Sequence, residues 1–539
     1  MRLKSRFSSF FLSAEHAIQR DWDVVIIGSG MGGSTAAYKL AQKGKKVLIL
    51  EKGRLSFGSS ESVAQEETDP EKRLQSGKWP TQLTASVDGK RSDIWAPLGC
   101  GIGGSTLLYA AALQRLRRSE FLEQPLPGGT NIQWPFSYDE IEPYYQEAET
   151  LFSVCGTPDP GELGSECNLL LPPEMSETDQ HLFQEFQSAD LHPFRLHTGV
   201  KYEAPCRECS GHICLKACKQ DAATACIQPG LETGNLFIIE QAEILKLEAD
   251  SKRVREVFFD CDNKVVSISA ETIILSAGAY FSPVVLQKSR NDLWPNGLAN
   301  GSDMVGRNLM FHASDFIAVW PKKSCSREGP RKTLALRDLY ELEGKKLGEF
   351  QSTGLTAGYG NVVYALRLIF DQSIFRSLSF LRHFLRIPAY ITSKLFGEAT
   401  VFATIVEDYP YAENRVLADE STASGMRFEY RIHGEFRQRI LQFRNTIRKR
   451  LRRLRTLPMA PGVSLNYGHP CGTCVAGSDP KKSVLDRNCK VHELENLYVV
   501  DASFMPTSGG TNPSLTIAAN ALRVADRINT NLGLLKPAA

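Results

Sequence analysis

The chain has 539 residues, 42% apolar and 23% charged, an ordinary globular balance. It is too long for a single core, since cores stop growing near roughly 250–300 residues, so two or more packed domains are expected. A net charge of +2 gives no global pull toward nucleic acid, and no run approaches the roughly 18 apolar residues of a membrane-spanning helix.

The N-terminal "MRLKSRFSSFFLSAEHAIQRDW" has a basic start but too short an apolar core for a secretory signal. A reducing, cytoplasmic setting is expected, which weakens any disulfide reading. Asp23–Gly28 (DVVIIG) is a short apolar run bounded by glycine, as for a strand buried on both faces. Ser34–Gly44 reads as a helix ending at glycine. Lys46–Gly53 reads as a second buried strand, completing a β-α-β unit of about thirty residues.

Asn235–Asp250, Arg255–Asp260 and Lys264–Gly278 read as successive strands. Ser373–Gly397 is apolar with interspersed arginines and should bend at Pro388. Glu435–Leu457 reads as an amphipathic helix, with Phe436, Ile440, Phe443, Ile447, Leu451 and Leu454 at helical spacing. These last two segments have two readings. One is docking to an anionic membrane surface, a peripheral contact. The other, preferred on the sequence, is a core-facing helix with a solvated basic face. Glu495–Ser503 reads as another buried strand and Pro513–Ile528 as an apolar helix opened by proline.

"GSGMGG" (Gly28–Gly33) follows the first strand and opens the helix. Gly28 permits the tight turn, Gly30 lets backbone approach a pyrophosphate, and Gly33 lets the helix pack close to the sheet. The helix N-terminus offers free N–H groups to the anion. Glu51 ends the second strand, where a carboxylate accepts hydrogen bonds from a ribose. These features in register predict a dinucleotide site, the alternative being a glycine-rich turn in an empty Rossmann unit.

"PCRECSGHICLKACKQDA" (Pro205–Ala222) places Cys206, Cys209, Cys214 and Cys218 within thirteen residues. The C-x2-C-x4-C-x3-C spacing shares elements with iron–sulfur runs without matching either common order. Zinc also takes C-x2-4-C pairs. Three readings stand: an iron–sulfur relay, structural zinc, and plain thiols or a disulfide.

Several motifs in order resemble the glucose–methanol–choline (GMC) oxidoreductases over nearly the whole chain. They are the opening "DVVIIGSGMGGSTAAYKLAQKGKKVLILEKG", "LGCGIGGSTLLYAAAL" (Leu98–Leu113), "WPFSYDEIEPYYQEAE", "IILSAGAYFSPVVLQKS", "VGRNLMFH" (Val305–His312), and the C-terminal "HPCGTC…DASFMPTSGGTNPSLTIAANALRVADRI". The resemblance implies FAD and an α/β fold: a Rossmann-type FAD-binding domain interleaved with a sheet-based α+β substrate domain. The expected pieces are FAD-binding at 20–115, a substrate-domain entry and lid at 116–200, FAD-binding at 201–312, substrate-binding at 313–457, and FAD-binding at 458–539.

The resemblance also carries roles. His469 matches the catalytic histidine and Asn512 the second catalytic position. Gly103, Gly104 and Ser105 fall in the second glycine-rich signature, and Asp501 and Pro513 in the C-terminal cofactor-binding motifs. Some relatives bond the flavin through a histidine in the second signature; Ser105–Leu108 has none, so FAD is expected to be non-covalent. Glu407 resembles a carboxylate on the substrate-domain sheet of some relatives, the cholesterol oxidases among them, and reads equally as a hydrogen-bond acceptor for substrate or as a structural ion-pair partner. Some relatives hold an iron–sulfur cluster near the position of Cys206–Cys218. The expected activity is oxidation of the CH–OH group of a sugar, polyol, sterol or lipid alcohol. Hydride goes to flavin N5, His469 takes the proton, Asn512 holds the oxygen, and electrons pass to a quinone, a cytochrome or oxygen. A dehydrogenase is the preferred form. The rivals are a flavin-dependent lyase or decarboxylase on the same fold and an electron-transfer flavoprotein subunit.

Overall fold

A computed structural model describes residues 6–535, apart from 56–66, 127–130, 163–165, 207, 324, most of 356–379, 397–398 and 460–462. Part of the apolar segment Ser373–Gly397 therefore lies outside the described residues.

Strand β1 (Val24–Ile27) is buried at every position. It leads into helix α1 (Met31–Gln42) and strand β2 (Val47–Glu51), also buried throughout. Helix α2 (Tyr138–Leu151) opens with a capping box, Ser137 and Glu140 exchanging hydrogen bonds with each other's backbone. Strands β3 (Leu236–Glu240) and β4 (Thr272–Leu275) add to the first sheet on either side of β1 and β2. Strands β5 (Met310–Ala313), β6 (Phe316–Trp320), β7 (Gly348–Ser352) and β8 (Thr400–Val406) build a second sheet, with helix α3 (Arg386–Phe396) between the last two. Helix α4 (Gly434–Arg450), strand β9 (Leu465–Cys471), strand β10 (Leu497–Val499) and helix α5 (Ser514–Leu535) finish the chain.

The first sheet has the order β10-β4-β1-β2-β3, all parallel. A parallel sheet needs both faces covered, and α5 packs against α1 and α2 on one side. The second sheet has eight strands. Arg455–Pro458, β6, β8, β7, Leu334–Leu336 and Phe194–Arg195 lie in line, while β5 pairs with both β8 and β9. Strand β9 lies inside the stretch assigned from sequence to the FAD-binding part, yet it belongs to this second sheet.

Helix α4 lays Phe436, Ile440, Phe443 and Ile447 against Phe350 and Phe402 of that sheet, all buried. Each such side chain contributes about 2 kcal/mol relative to exposure. Two of the arginines on α4 are also used inward: Arg439 pairs with Glu435 at 2.8 Å, and Arg444 with Asp315. The apolar face of α4 is thus spent on the core, and its lipid-docking reading does not hold. Among the described residues no helix is long and apolar enough to cross a membrane.

Candidate functional site

A cavity of about 690 Å³ runs along the C-terminal end of the first sheet and reaches the second. Open parallel sheets place ligand crevices there. The turn after β1 lines it. Gly28 has φ +91°, which glycine alone adopts without strain. A Cβ on Gly33 would run into the carbonyl of Gly28, so this glycine lets helix and strand approach. Gly30 is different. A Cβ there would meet nothing within 4 Å, so open space lies in front of the α1 N-terminus, which no side chain caps. Backbone N–H groups facing open space suit an anion such as a pyrophosphate.

Glu51 lines the same cavity. Its Oε2 accepts from Ser29 N at 2.9 Å and Ser29 Oγ at 2.6 Å, and its Oε1 from Gly53 N at 2.8 Å. Burial raises its pKa, against the pull of these donors. Gly104 and Ser105 line the cavity, while Gly103 sits just behind, donating its N–H to Ser29 Oγ at 3.2 Å. Asp501 lines it and also caps the turn Ala502–Phe504. Its Oδ2 accepts from Gly278 N at 2.9 Å and Ser282 Oγ at 2.5 Å, tying the last strand's exit to that of β4. Pro513 completes the lining contributed by the C-terminal motif. The donor-rich α1 N-terminus, the open space at Gly30 and the carboxylate at Glu51 together fit a dinucleotide.

His469 and Asn512 reach this cavity from different elements. His469 sits in a bulge. Met310 pairs with Cys471 and His312 with Asn466, so two residue steps on β5 oppose five on β9. The excess chain carries Tyr467–Pro470 out of the ladder, the usual way a bulge re-aims a side chain beside a site. His469 Nδ1 lies 3.0 Å from His312 Nδ1, and His312 Nε2 lies 2.9 Å from Gly509 O and 3.1 Å from Ser508 O. Burial, with His312 beside it, lowers the His469 pKa to about 3. Burial lowers His312 to about 4. Both rings are neutral at neutral pH.

Asn512 is oriented by two glutamines. Its Nδ2 lies 3.0 Å from Gln351 Oε1 and 3.2 Å from Gln114 Oε1. Gln114 in turn donates to Glu349, whose carboxylate is paired with Arg337 at 2.7 Å. A carboxylate in an ion pair only accepts, so each amide along the chain is oriented. The atom of Asn512 left for a ligand is Oδ1.

Glu407 is a correction. It does not line the cavity and is wholly buried. Burial, with Glu120 beside it, raises its pKa to about 8, while Lys346 pairs with Glu120 at 2.7 Å. It is an interior acid set back from this cavity.

The cysteine loop touches the cavity through Gly211. Among the described residues no group of three or more His, Cys, Asp or Glu is placed to hold a metal. The metal reading of Cys206, Cys209, Cys214 and Cys218 therefore finds no support, and all four are free thiols. They associate in two pairs, Cys209 within hydrogen-bonding reach of Cys214 and Cys218 of Cys206. Burial pushes Cys214 up, but the backbone N–H groups of Lys219, Lys216 and Cys218 bring it below the usual thiol value.

The sequence reading missed other lining residues: Trp79, Trp95, Tyr109, Lys78, Lys288 and Asn466. None sits in a spacing that names a role. His312 lay in plain view at the end of "VGRNLMFH" but carried no assignment.

Comparison with known proteins bears on this geometry. The GMC oxidoreductase family models match residues 22–314 and 410–521. Paromamine 6'-oxidase of Streptomyces fradiae is 28% identical, covering 95% of this chain and 92% of its own. The fructose dehydrogenase large subunit of Gluconobacter japonicus is 25% identical, covering 95% and 98%. Among solved structures, pyridoxine 4-oxidase from Mesorbium loti superposes with a TM-score of 0.64 at 19% identity, covering 94% of this chain and 99% of its own. The two matched segments hold between them both halves of the cavity, from Gly28 to Asn512, and the chain belongs to the GMC oxidoreductase family.

Proposed function

We propose that this protein oxidises the CH–OH group of a small-molecule alcohol, with His469 taking the hydroxyl proton. The observation that carries the reading is that His469 and Asn512 line the same cavity as the Gly28–Gly32 loop and Glu51. FAD, the cofactor the family implies, supplies a two-electron acceptor for the carbon's hydride when bound. The α1 N-terminus would hold its pyrophosphate and Glu51 its ribose, with no covalent link from Ser105–Leu108. A base must be deprotonated to act, and a half-buried, neutral His469 meets that condition. The reacting hydroxyl's one hydrogen goes to His469, so Asn512 Oδ1 is left to orient the substrate by accepting from another of its hydroxyls.

Relatives named for paromamine and fructose favour a sugar-type alcohol over a sterol. We read the enzyme as a dehydrogenase, its electrons passing to a quinone, a cytochrome or oxygen. Mixing the reduced protein with each in turn assigns the acceptor. The deciding experiment on the chemistry is His469→Ala. The variant should bind FAD and fail to reduce it with an alcohol that the parent oxidises; reduction at the parental rate would sink the assignment.

The peripheral membrane contact is proposed for α3 and the turn before it. Phe380, Phe384, Ile387 and Ile391 follow helical spacing, and each is more than half exposed. Ala389, on the opposite side, is buried against Val363 and Leu366. The segment from 373 to 397 carries Arg376, Arg382, Arg386 and Lys394 and no acidic residue. An outward apolar stripe without acidic charge suits an anionic lipid surface.

A further inference from the structure

We propose that His312 is a positioning residue for this reaction: it holds His469 as the Nδ1–H tautomer, so that the Nε2 lone pair is left for the substrate hydroxyl. The proposal rests on the reading of His469 as base. It follows from a chain of donors and acceptors with one fixed end. His312 Nε2 lies within hydrogen-bond distance of two backbone carbonyls, Gly509 O at 2.9 Å and Ser508 O at 3.1 Å. Carbonyls only accept, so Nε2 carries the hydrogen. A neutral imidazole has one N–H, and His312 Nδ1 is therefore bare. That bare nitrogen lies 3.0 Å from His469 Nδ1. Two lone pairs cannot face each other at that distance, so His469 Nδ1 carries a hydrogen and donates it. His469 is neutral too, and its Nε2 is left bare. No described residue engages that atom, and His469 lines the cavity.

The geometry supports the contact. The rings stand at 90° with centroids 5.2 Å apart. The β5–β9 bulge that exposes His469 leaves His312 in register with Asn466, so donor and acceptor are held by one ladder. The charged group acting on His312 is Glu120, itself paired with Lys346. Among the described residues His469 faces no charged group other than His312 should that ring ionise.

The arrangement also serves the charge that forms. When Nε2 takes the substrate proton, His469 becomes an imidazolium, and its existing Nδ1–H bond to His312 becomes charge-assisted and stronger. The opposite tautomer would present an N–H to the substrate hydroxyl and could accept nothing.

Two variants and one spectroscopic measurement test this. His312→Asn keeps an acceptor, Oδ1, near the place of Nδ1; His312→Leu keeps none. With FAD bound at the parental level, the asparagine variant should reduce flavin within about 10-fold of the parent, and the leucine variant about 10²–10⁴-fold more slowly with little change in KM. Parental rates in the leucine variant would overturn the proposal. Ring-15N-histidine spectra of the unmutated holoenzyme supply the second readout, with His469 identified by its loss in His469→Ala. The Nδ1–H tautomer is expected, and an Nε2–H tautomer overturns the proposal even where His312→Leu fails to hold FAD. Should His469→Ala reduce flavin at the parental rate, the base reading falls while the tautomer remains readable, so the two failures are distinct.

Discussion

Asn512 gives an amide hydrogen to Gln351, Nδ2 to Oε1 at 3.0 Å. With Gln114 Oε1 taking the other, Asn512 faces the cavity as an acceptor. Its orientation is inherited from the Glu349–Arg337 ion pair through Gln114. Gln351→Met keeps the volume and removes one anchor. Losing one such hydrogen bond costs about 1 kcal/mol, so flavin reduction by the alcohol should slow roughly 5-fold. Asn512→Leu removes the acceptor outright and should slow reduction further, by about 10-fold or more. Stopped-flow reduction with equal FAD occupancy checks both; a Gln351→Met rate equal to the parent's would mean Asn512 needs no anchoring.

Glu407 should make the protein alkali-sensitive. Its folded pKa, raised to about 8 by burial and by Glu120, lies above the unfolded value. The native state then binds more protons than the unfolded chain, and stability falls as pH rises from the unfolded pKa through about 8. Glu407→Gln removes that dependence. Melting temperatures recorded from pH 6 to pH 9 should fall less steeply in the variant; parallel curves would place the alkaline sensitivity elsewhere.

Within the cysteine loop, reactivity should be uneven. Cys214 is brought below the usual thiol value by three backbone N–H groups, whereas burial raises Cys209 and takes Cys218 to about 11. The thiolate is the nucleophile. Brief treatment with iodoacetamide at pH 7.5, followed by peptide mass spectrometry, should find Cys214 modified ahead of Cys209 and Cys218. Equal labelling would refute the assigned environment.

For the apolar stripe, co-sedimentation with phosphatidylcholine vesicles containing about 30% phosphatidylserine is the check, because basic juxtamembrane residues each contribute about 1 kcal/mol near an anionic surface. Binding should fall with salt, and Phe384→Asp with Ile387→Asp should abolish it. No pelleting at low salt would end the lipid assignment, and a concentration-dependent dimer would hand the stripe to a second copy of the chain.

The nucleotide-binding half of the site was legible because its signal is contiguous. Gly28, Gly30, Gly33 and Glu51 occupy one β-α-β unit whose periodicity and punctuation can be counted. His469 and Asn512 were reached only through resemblance, since no local pattern marks either. Their supports were beyond any local reading: Gln114 and Asn512 are 398 positions apart, Gln351 and Asn512 161, and His312 and His469 157. Such pairs exist only once two sheets are built. Glu407 and the cysteines show the opposite error. A carboxylate on a sheet named for substrate, and thiols at a suggestive spacing, say nothing of where the side chains finish. Burial took the first out of the cavity, and backbone N–H groups claimed the thiol of Cys214.

The order of strands in the first sheet has a consequence during protein synthesis. β4 finds its outer neighbour in Leu497–Val499, and Gly32, in the first turn of α1, lies against the backbone carbonyl of Val500. A nascent chain that has left the ribosome as far as β9 already carries the whole glycine-rich loop, Glu51 and His469. It still lacks the floor under that loop and the helix that buries α1. Vectorial emergence thus leaves the wall of the cleft behind the glycine-rich loop to be completed last, once the C-terminal strand and helix are free of the ribosome.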